Sequence, residues 1–362
     1  MRILVTGGAG YIGSHTVKAL IDKGHKPIVI DNLVYGHKYV VTDILKVPLI
    51  VGQVGNKKQL MKILLGEHED LKGTVHEGKT IEAVMHFAAY AYVAESMENP
   101  LKYYLNNVVQ STILLDAICD YKVVKKTFNN LPIPIIFSST CATYGIPKEF
   151  PITEKTKQKP INPYGKSKLF IEEMIKDLGR YSNLKSVILR YFNAAGAMPD
   201  SSLGEMHKPE THLIPLVIQS ALGMRDNIEV FGNDYETKDG TCIRDYIHVC
   251  DLADAHVSAL SIFSNESKSN YLKNKDNCLV FNLGNGYEVS VQDIINIVQK
   301  ISNKKIKVIF SPRRLGDAPK LIASSIKIEK ILGWKPKFNK IEKIVEDSYN
   351  WQKKNIKRYL NF

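Results

Sequence analysis

Residues 1–24 join a short apolar run, a glycine cluster and a helix-period stretch without a break. The run Arg2–Thr6 predicts a strand, and Ile12–Lys23 predicts a helix that Gly24 ends as its C-terminal cap. Glycines at positions 7, 10 and 13 allow a tight turn and let a pyrophosphate approach the N–H groups at the helix N-terminus. This order of elements predicts a dinucleotide-binding turn at the start of a parallel sheet.

The second predicted strand, Lys26–Ile30, is followed directly by Asp31. A carboxylate about 20 residues after the glycine cluster can bind the ribose diol of a dinucleotide, and it would repel a 2′-phosphate. The predicted cofactor is therefore NAD rather than NADP.

Apolar runs alternate with helix-period stretches through the first half of the chain, with further strands predicted at Ala83–Phe87 and Ile133–Ser138. This alternation predicts an α/β fold of the Rossmann type, a doubly wound parallel sheet covered by helices. The polar, glycine-containing stretch Gly66–Thr80 and the similar stretch Ser264–Asn277 are predicted to be surface loops.

After about Tyr191 the chain becomes rich in loops and prolines, and its elements become shorter and more mixed. We therefore predict a smaller α+β domain over one end of the sheet. The expected division is 1–191 for the NAD-binding domain and 192–362 for a substrate-binding domain. Residues roughly 242–262 are expected to pack back on the first domain.

The composition is that of a globular protein, with 44% hydrophobic and 24% charged residues. The net charge of +12 has no aromatic-interleaved basic motif beside it, so we expect spread surface lysines and no nucleic-acid partner. No apolar run approaches the roughly 18 residues of a membrane span. The five scattered cysteines form no C-x-x-C pair, which argues against a disulfide framework or a zinc site and predicts a reducing cytoplasm.

Tyr164 and Lys168 are one helical turn apart and follow Thr140, which stands near the end of a predicted strand. A tyrosine with a pKa near 10 needs roughly 4 kcal/mol of preference for the phenolate to act as a base near neutral pH. An ammonium about 5 Å away supplies ~3 kcal/mol, and the positive nicotinamide of NAD⁺ can supply the rest. We therefore predict that Tyr164 is the acid–base group, that Lys168 assists it, and that Thr140 holds the reacting oxygen.

With these motifs the chain resembles the extended short-chain dehydrogenase/reductase family, and within it the 4-epimerases of UDP-sugars. The resemblance covers essentially the whole chain. Besides the glycine turn and the Tyr/Lys pair, it is carried by six segments: 85–89 (MHFAA), 103–108 (YYLNNV), 189–193 (LRYFN), 231–235 (FGNDY), 239–249 (DGTCIRDYIHV) and 312–317 (PRRLGD).

The resemblance implies a catalytic set, an NAD site and a UDP-sugar site. The catalytic residues would be Tyr164, Lys168 and Thr140. The NAD contacts would be Gly7, Gly10, Tyr11, Ile12, Gly13, Asp31, Asn32, Phe87, Ala88, Ala89, Asn106, Ser138, Tyr164, Lys168 and Tyr191. The substrate contacts would be Asn107, Thr140, Asn193, His212, Leu213, Phe231, Arg244, Arg314 and Asp317. Two arginines suit a diphosphate because a guanidinium pairs with phosphate oxygens.

Three positions depart from the family pattern. Gln53 stands where many relatives have an acidic residue associated with adenine, and Ala91 stands where many have a lysine near the cofactor. Both changes leave the tightness of NAD retention open. Leu321 occupies the position that limits space around the C2 substituent of the sugar, and its intermediate size leaves N-acetylated substrates open.

The implied reaction is NAD-dependent epimerisation at C4 through a transient 4-keto sugar, with UDP-glucose/UDP-galactose preferred and UDP-xylose/UDP-arabinose as the rival pair. A 4,6-dehydratase would need an acid–base pair where this chain has Cys141 and Ala142. A non-enzymatic NAD-binding regulator would lack the Tyr/Lys pair. The resemblance also implies a homodimer without a membrane partner. No metal is expected, because His86, His212 and His248 match no metal-binding spacing.

Overall fold

The structure, a computed structural model, describes residues 1–127 and 129–360. Its strands are β1 (Arg2–Thr6), β2 (Lys26–Asp31), β3 (Leu49–Val51), β4 (Ala83–His86), β5 (Ile135–Thr140), β6 (Ser186–Tyr191), β7 (Asn193–Ala195), β8 (Ile228–Phe231), β9 (Ile243–Arg244), β10 (Tyr246–His248), β11 (Cys278–Leu283), β12 (Val289–Ser290), β13 (Val308–Ser311) and β14 (Lys320–Leu321).

The α-helices are α1 (Tyr11–Asp22), α2 (Lys57–Leu64), α3 (Val93–Glu98), α4 (Pro100–Tyr103), α5 (Gln110–Cys119), α6 (Tyr121–Val124), α7 (Pro163–Ser182), α8 (Leu213–Ala221), α9 (Val249–Ala259), α10 (Ser261–Ser264), α11 (Glu266–Ser269), α12 (Val291–Ser302), α13 (Ile326–Leu332), α14 (Ile341–Lys354) and α15 (Ile356–Leu360). Short π-helical turns span Val40–Leu45 and Tyr104–Val109, and 3₁₀ turns span Glu69–Leu71, Cys141–Tyr144 and Asn270–Leu272. Within the described ranges, no helix has the length and apolar character needed to cross a membrane.

Seven parallel strands form the main sheet in the order β11-β6-β5-β4-β1-β2-β3. The chain runs outward from β1 to β3 and then returns to β4 on the other side of β1. This reversal creates a crevice at the carboxyl ends of the strands, where doubly wound sheets bind ligands. The predicted Rossmann-type α/β fold is confirmed.

Alternate side chains of each strand pack against opposite layers of helices, as the two-residue period of a strand requires. In β1, Ile3 and Val5 join one core with residues of α1 and α9, whereas Leu4 joins the other core with residues of α2, α5 and α7. Because both faces are covered, nearly every residue of these strands is buried.

Helix α1 begins directly after the glycine turn and ends before Gly24, whose φ of +76° continues the chain in the left-handed region. Asn162 caps the start of helix α7, because its side chain accepts the Gly165 N–H at 2.8 Å, and Pro163 occupies the first turn. The N-termini of α1 and α7 therefore lie at the same edge of the sheet.

The second half of the chain builds three small sheets, in which β7 pairs with β10, β8 with β13, and β9 with both β12 and β14. Helices α8, α12 and α14 pack with β8 around a third core. This unit covers the carboxyl ends of the main sheet, so the chemistry of the crevice is shared between both halves.

Two features differ from the sequence expectations. Strand β11 lies beyond residue 191 but pairs with β6 at the edge of the main sheet, so the sheet does not follow the expected division of the chain. The stretches Gly66–Thr80 and Ser264–Asn277 contain one-turn helices instead of only loop, and Leu71 and Leu272 anchor them in the cores. Helix α9, within 242–262, packs on α1.

Candidate active site

A single cavity of about 750 Å³ occupies the crevice above the carboxyl ends of the strands. Residues that end or follow β1, β2, β4, β5 and β6 form its floor, and the second half of the chain forms its roof. The predicted site residues that line it are Gly7, Gly10, Tyr11, Ile12, Gly13, Asp31, Asn32, Phe87, Ala88, Ala89, Asn106, Thr140, Tyr164, Tyr191, Asn193, His212, Leu213, Phe231, Arg244, Arg314 and Asp317.

The glycine turn fits a dinucleotide diphosphate. Gly7 has φ +72°, and a Cβ there would lie 2.7 Å from the Ala88 nitrogen. A Cβ on Gly13 would lie 2.2 Å from the Gly7 carbonyl oxygen, so the turn packs tightly on α1. A Cβ on Gly10 would meet only that same oxygen, at 3.4 Å, and would fill space bordering the cavity at the helix N-terminus. The turn thus leaves room for an anion where the helix dipole favours it.

Asp31 stands at the end of β2 on the wall of the same cavity. Its carboxylate accepts the backbone N–H groups of Ala9 (3.0 Å) and Leu33 (2.8 Å). Burial raises the pKa of Asp31, and the two N–H bonds oppose that rise. Each carboxylate oxygen keeps a lone pair for a further donor, so the group fits the hydroxyls of a ribose.

Tyr164 and Thr140 meet at the floor of the cavity. Tyr164 lies in the first turn of α7, and Thr140 is the last residue of β5, in register with Tyr191 of β6. A hydrogen bond to Thr140 favours the Tyr164 phenolate, although burial and the neighbouring Tyr191 raise the pKa of Tyr164 well above its ordinary value. Desolvation of the phenolic oxygen outweighs the single hydrogen bond, so Tyr164 needs an added positive charge before it ionises.

Lys168 lies one turn further along α7, behind the cavity floor. Its Nζ donates to the Ser138 carbonyl oxygen at 2.9 Å and lies 4.9 Å from the centre of the Phe137 ring. Burial lowers the pKa of Lys168 to about 7, and the charge of Glu172 opposes this shift. The Lys168 amino group is thus bound to the backbone of β5, at the strand end that carries Thr140.

The second half of the chain contributes two guanidinium groups to the cavity. The Arg314 guanidinium lies 3.9 Å from the centre of the Phe231 ring, which is a cation–π geometry. Arg244 donates to the Ala318 carbonyl at 2.7 Å, and its other terminal nitrogen lies 3.7 Å from an Asp317 oxygen. Two cations, a ring and a carboxylate together fit the diphosphate, base and ribose of a nucleotide.

Helix α8 adds a further positive feature to the roof. It begins at Leu213 after His212, both of which line the cavity, and no side chain of the described residues caps its first turn. Uncapped N–H groups and the helix dipole favour an anion at this end.

Several predicted contacts lie outside the cavity wall. Asn107 is fully buried, and its amide is bonded to both backbone groups of Tyr90 (2.9 and 3.0 Å) and to the Ser167 hydroxyl (3.0 Å). Its amide therefore supports the loop after β4. Ser138 and Lys168 also lie behind the wall, and the Gln53 side chain is exposed beside it.

Other cavity residues were not found from the sequence. Tyr35, Tyr90 and Tyr92 form a cluster with ring centres 5.3 and 5.6 Å from Tyr35. Two of these tyrosines, Tyr90 and Tyr92, could have been noticed in the sequence because they closely follow the alanines of segment 85–89. Glu205 and His207 also line the wall, next to His212. The spacing Glu-x-His-x-x-Glu-x-His in residues 205–212 carries that signal.

The chain is similar to known proteins over almost its whole length. The model of the family described as GDP-mannose 4,6 dehydratase matches residues 4–348. The chain is 45% identical to the UDP-glucose 4-epimerase of Streptococcus mutans over 99% of each protein. It is 43% identical to the UDP-glucose 4-epimerase of Lacticaseibacillus casei over 97% of this chain and 96% of that protein.

Solved structures agree with these relatives. One crystal structure of a UDP-glucose 4-epimerase has a TM-score of 0.85 and 43% identity, and the match covers 98% of both chains. The UDP-glucose 4-epimerase of Bifidobacterium longum, solved in complex with NAD⁺ and UDP, has a TM-score of 0.84 and 37% identity, with 98% of this chain and 99% of that chain covered.

Proposed function

The chain belongs to the UDP-glucose 4-epimerase family, within the extended short-chain dehydrogenases/reductases, and from this premise we propose that it epimerises UDP-sugars at C4 with NAD as cofactor. The substrates are UDP-glucose and UDP-galactose, which interconvert through a transient 4-keto sugar. One observation carries the proposal: a single cavity joins the glycine turn, the Tyr164–Thr140 pair and the two arginines.

NAD fits the residues of the sheet crevice. The glycine turn has room for its diphosphate, and the buried Asp31 carboxylate suits the adenosine ribose. When bound, NAD⁺ supplies a reversible hydride acceptor and a positive charge. We propose the remaining contacts at Asn32, Asn106, Tyr191 and the Phe87–Ala89 segment, all of which border the cavity.

Tyr164 is the proposed acid–base group because its hydroxyl can lose a proton where Thr140 can hold the substrate oxygen. Burial raises the pKa of Tyr164, so a nearby cation is needed to stabilise the phenolate. Lys168 supplies part of that field and supports β5 through Ser138. Tyr164 would remove the O4 proton in one half-reaction and return it in the other.

The roof of the cavity is the proposed holder of the nucleotide. Arg244 and Arg314 suit the diphosphate, Phe231 suits the uracil, and Asp317 suits ribose hydroxyls. We include Asn193, His212 and Leu213 in this contact set because they border the same space. A substrate held by its nucleotide leaves its sugar free to turn, which is the motion that inversion at C4 requires.

Dehydration is disfavoured by the residues next to Thr140. Burial raises the pKa of the Cys141 thiol to about 12, so the thiol stays protonated near neutral pH and is a poor proton carrier. Ala142 has no group that transfers a proton. The chain therefore has the residues for removal and return of hydride at C4, but no acid–base pair beside Thr140 that would expel a C6 hydroxyl.

The decisive experiment is turnover of four UDP-sugars by the purified protein, followed by chromatography and mass spectrometry. We expect UDP-glucose and UDP-galactose to interconvert without net NADH, because the hydride is returned. UDP-N-acetylglucosamine tests the space beside Leu321, which lines the cavity, and UDP-xylose tests the rival pentose pair. Steady formation of NADH would indicate a dehydrogenase, and loss of water from the product would indicate a dehydratase.

A homodimer is the assembly that we propose. Leu101, Leu105 and Val109 are spaced by four residues and exposed, and Phe170 of α7 is 52% exposed on the adjacent helix. Such a contiguous apolar stripe is typical of a subunit interface. Leu105→Glu should shift the protein to monomer in sedimentation experiments, whereas Ile326→Glu, at an exposed site on α13, should leave a dimer.

We propose that the protein works in the cytoplasm. All five cysteines are free in the structure, which suits a reducing compartment. Cell fractionation with an antibody against the native chain would test this, and recovery in an oxidising compartment would contradict it.

A further inference from the structure

Four potential metal ligands converge at one edge of the cavity: Glu205, His207, Glu210 and His212. One ligand atom from each side chain lies within 4.8 Å of the other three. All four come from the single segment 205–212, which follows β7 and leads into α8. The cluster is separate from the Tyr164–Thr140 pair, and only His212 is shared with the proposed substrate contacts.

Two atoms of the cluster are buried without a hydrogen-bond partner among residues 1–127 and 129–360. They are Nδ1 of His207 and Oε2 of Glu210, whose side chain is only 4% exposed. The other Glu210 oxygen accepts the N–H groups of Thr211 (2.8 Å) and His212 (3.0 Å), so the carboxylate is held by the backbone. Oε2 then lies 3.8 Å from His207 Nδ1, beyond hydrogen-bond distance.

Ion pairs within the cluster do not give every buried polar atom a hydrogen bond. Glu205 has a hydrogen bond to His212 at 2.5 Å and lies 3.3 Å from His207 Nδ1. These contacts involve Glu205 but give no hydrogen bond to Glu210 Oε2. A buried polar atom without a partner costs free energy, so the pair of unpartnered atoms indicates a missing ligand between them.

The spacing suits a tetrahedral ion. Zinc bonds of about 2.0–2.1 Å to nitrogen and oxygen place the ligand atoms roughly 3.3 Å apart. The Glu205–His207 distance is 3.3 Å, Glu210 Oε2 lies 3.8 Å from His207 Nδ1, and Glu210 Oε1 lies 3.8 Å from His212 Nδ1. Only the His212–Glu205 contact, at 2.5 Å, would have to open, which a small side-chain rotation allows.

The donor set decides which ion is expected. Two imidazole nitrogens with two carboxylates suit zinc, whereas magnesium and calcium prefer oxygen ligands. Two carboxylates also balance the charge of a divalent ion. We propose that Glu205, His207, Glu210 and His212 form a four-ligand structural site for one Zn²⁺ per chain.

The position of the site indicates what the ion does. Segment 196–212 is already bonded to the NAD-binding half, because the Tyr11 hydroxyl donates to the Gly196 carbonyl (2.6 Å) and His37 bonds the Met206 carbonyl (2.9 Å). A zinc ion bound by residues 205–212 fixes the fold of this segment just before α8, and so stabilises one wall of the cavity.

The test is zinc binding by tag-free protein that has been stripped with EDTA. Equilibrium dialysis against zinc sulfate, with elemental analysis, should give one zinc per chain, and magnesium sulfate should not compete. Added zinc should also raise the melting temperature. Wild-type protein that stays substoichiometric in zinc, with no change in melting temperature, would overturn the proposal.

Two conservative variants locate the site. Glu210→Gln and His207→Gln should each weaken zinc binding at least about tenfold. His68→Gln is the matched control, because His68 is another buried histidine beside a carboxylate, Asp70, with Nδ1–Oδ2 at 3.6 Å. Circular dichroism checks that each variant is folded. Unchanged zinc affinity in both folded cluster variants would also overturn the assignment.

Discussion

Around Thr140, burial changes the chemistry of single residues more than neighbouring charges do. It raises the pKa of Tyr164, raises the pKa of Cys141 to about 12 and lowers the pKa of Lys168 to about 7. Each shift favours the neutral form of the group, as desolvation requires. The phenol therefore needs an added positive charge before it ionises, which links proton removal to the binding of an oxidised cofactor.

The first prediction at the scale of single residues concerns the phenolic oxygen of Tyr164 and its role in proton transfer. Tyr164→Phe should lower kcat for UDP-galactose at least about 100-fold, because positioned proton transfer contributes 10²–10⁴-fold. NAD binding, followed by thermal shift, should survive because the ring is kept. Thr140→Ser should be mild and Thr140→Val more costly. Near-normal turnover by Tyr164→Phe would show that another group is the base.

The second prediction concerns UDP binding by Arg314, and the adjacent Arg313 serves as its control. Arg314 lines the cavity beside Phe231, whereas Arg313 bonds Asp234 (2.7 Å) and does not line it. Arg314→Ala should weaken UDP binding by roughly 1.5–3 kcal/mol, the contribution of a charge-assisted hydrogen bond. Arg313→Ala should change it by less than about 1 kcal/mol, as expected for a surface pair. Equal effects in calorimetry would contradict the assigned diphosphate contact.

At the scale of elements, a buried ion pair joins α7 to β5 and β6. Glu172 of α7 pairs with Arg190 of β6 at 2.5 Å and accepts the Ser139 hydroxyl of β5 at 2.5 Å. Arg190 also donates to the Tyr144 hydroxyl at 2.9 Å. These contacts fix α7, β5 and β6 to one another directly below the cavity, since Ser139 is the neighbour of Thr140 in β5.

Breaking this pair should destabilise the protein. Glu172→Gln leaves the Arg190 charge buried without its partner and should cost about 3–5 kcal/mol in denaturant unfolding. Glu173→Gln is the matched control, because Glu173 is 52% exposed and pairs with Lys176 at the surface. That change should cost less than about 1 kcal/mol. Similar losses in the two variants would show that the buried pair does not connect these elements as described.

At the scale of the whole molecule, three buried histidines make stability depend on pH. Burial lowers the pKa of His15 to about 4, of His86 to about 3 and of His256 to about 4. Between these values and 6.5 the unfolded chain binds more protons than the folded protein, so stability falls as pH decreases through this window. Asp245 opposes this trend, since burial raises its pKa to about 6.

His256 offers a direct test of this dependence. Its ring bonds the Leu252 carbonyl at 2.8 Å, which glutamine can also do. Because one proton fewer is taken up on unfolding, His256→Gln should reduce the slope of unfolding free energy against pH by up to about 1.4 kcal/mol per pH unit between pH 6 and 4.5. Guanidinium unfolding at several pH values measures the slope. An unchanged slope would show that His256 is not a buried neutral group.

The sequence by itself determined the features that depend on local order along the chain. The strand, glycine turn and helix of residues 2–22 are predictable because backbone conformation there follows from the glycines and from the period of apolar residues. The distance from the turn to Asp31 and the one-turn spacing of Tyr164 and Lys168 are equally local. These features sufficed for the Rossmann-type fold and the family, both of which are confirmed.

The tertiary structure alone decided which side chains reach the cavity and in which charge state. Asn107 has a family motif around it, yet its amide is satisfied by Tyr90 and Ser167. Lys168 is bound to the Ser138 carbonyl, and desolvation dominates the pKa of Tyr164. Burial and hydrogen-bond partners come from segments far apart in the chain, so no spacing in the sequence reports them. The same reason explains why β11 completes a sheet that begins at residue 2.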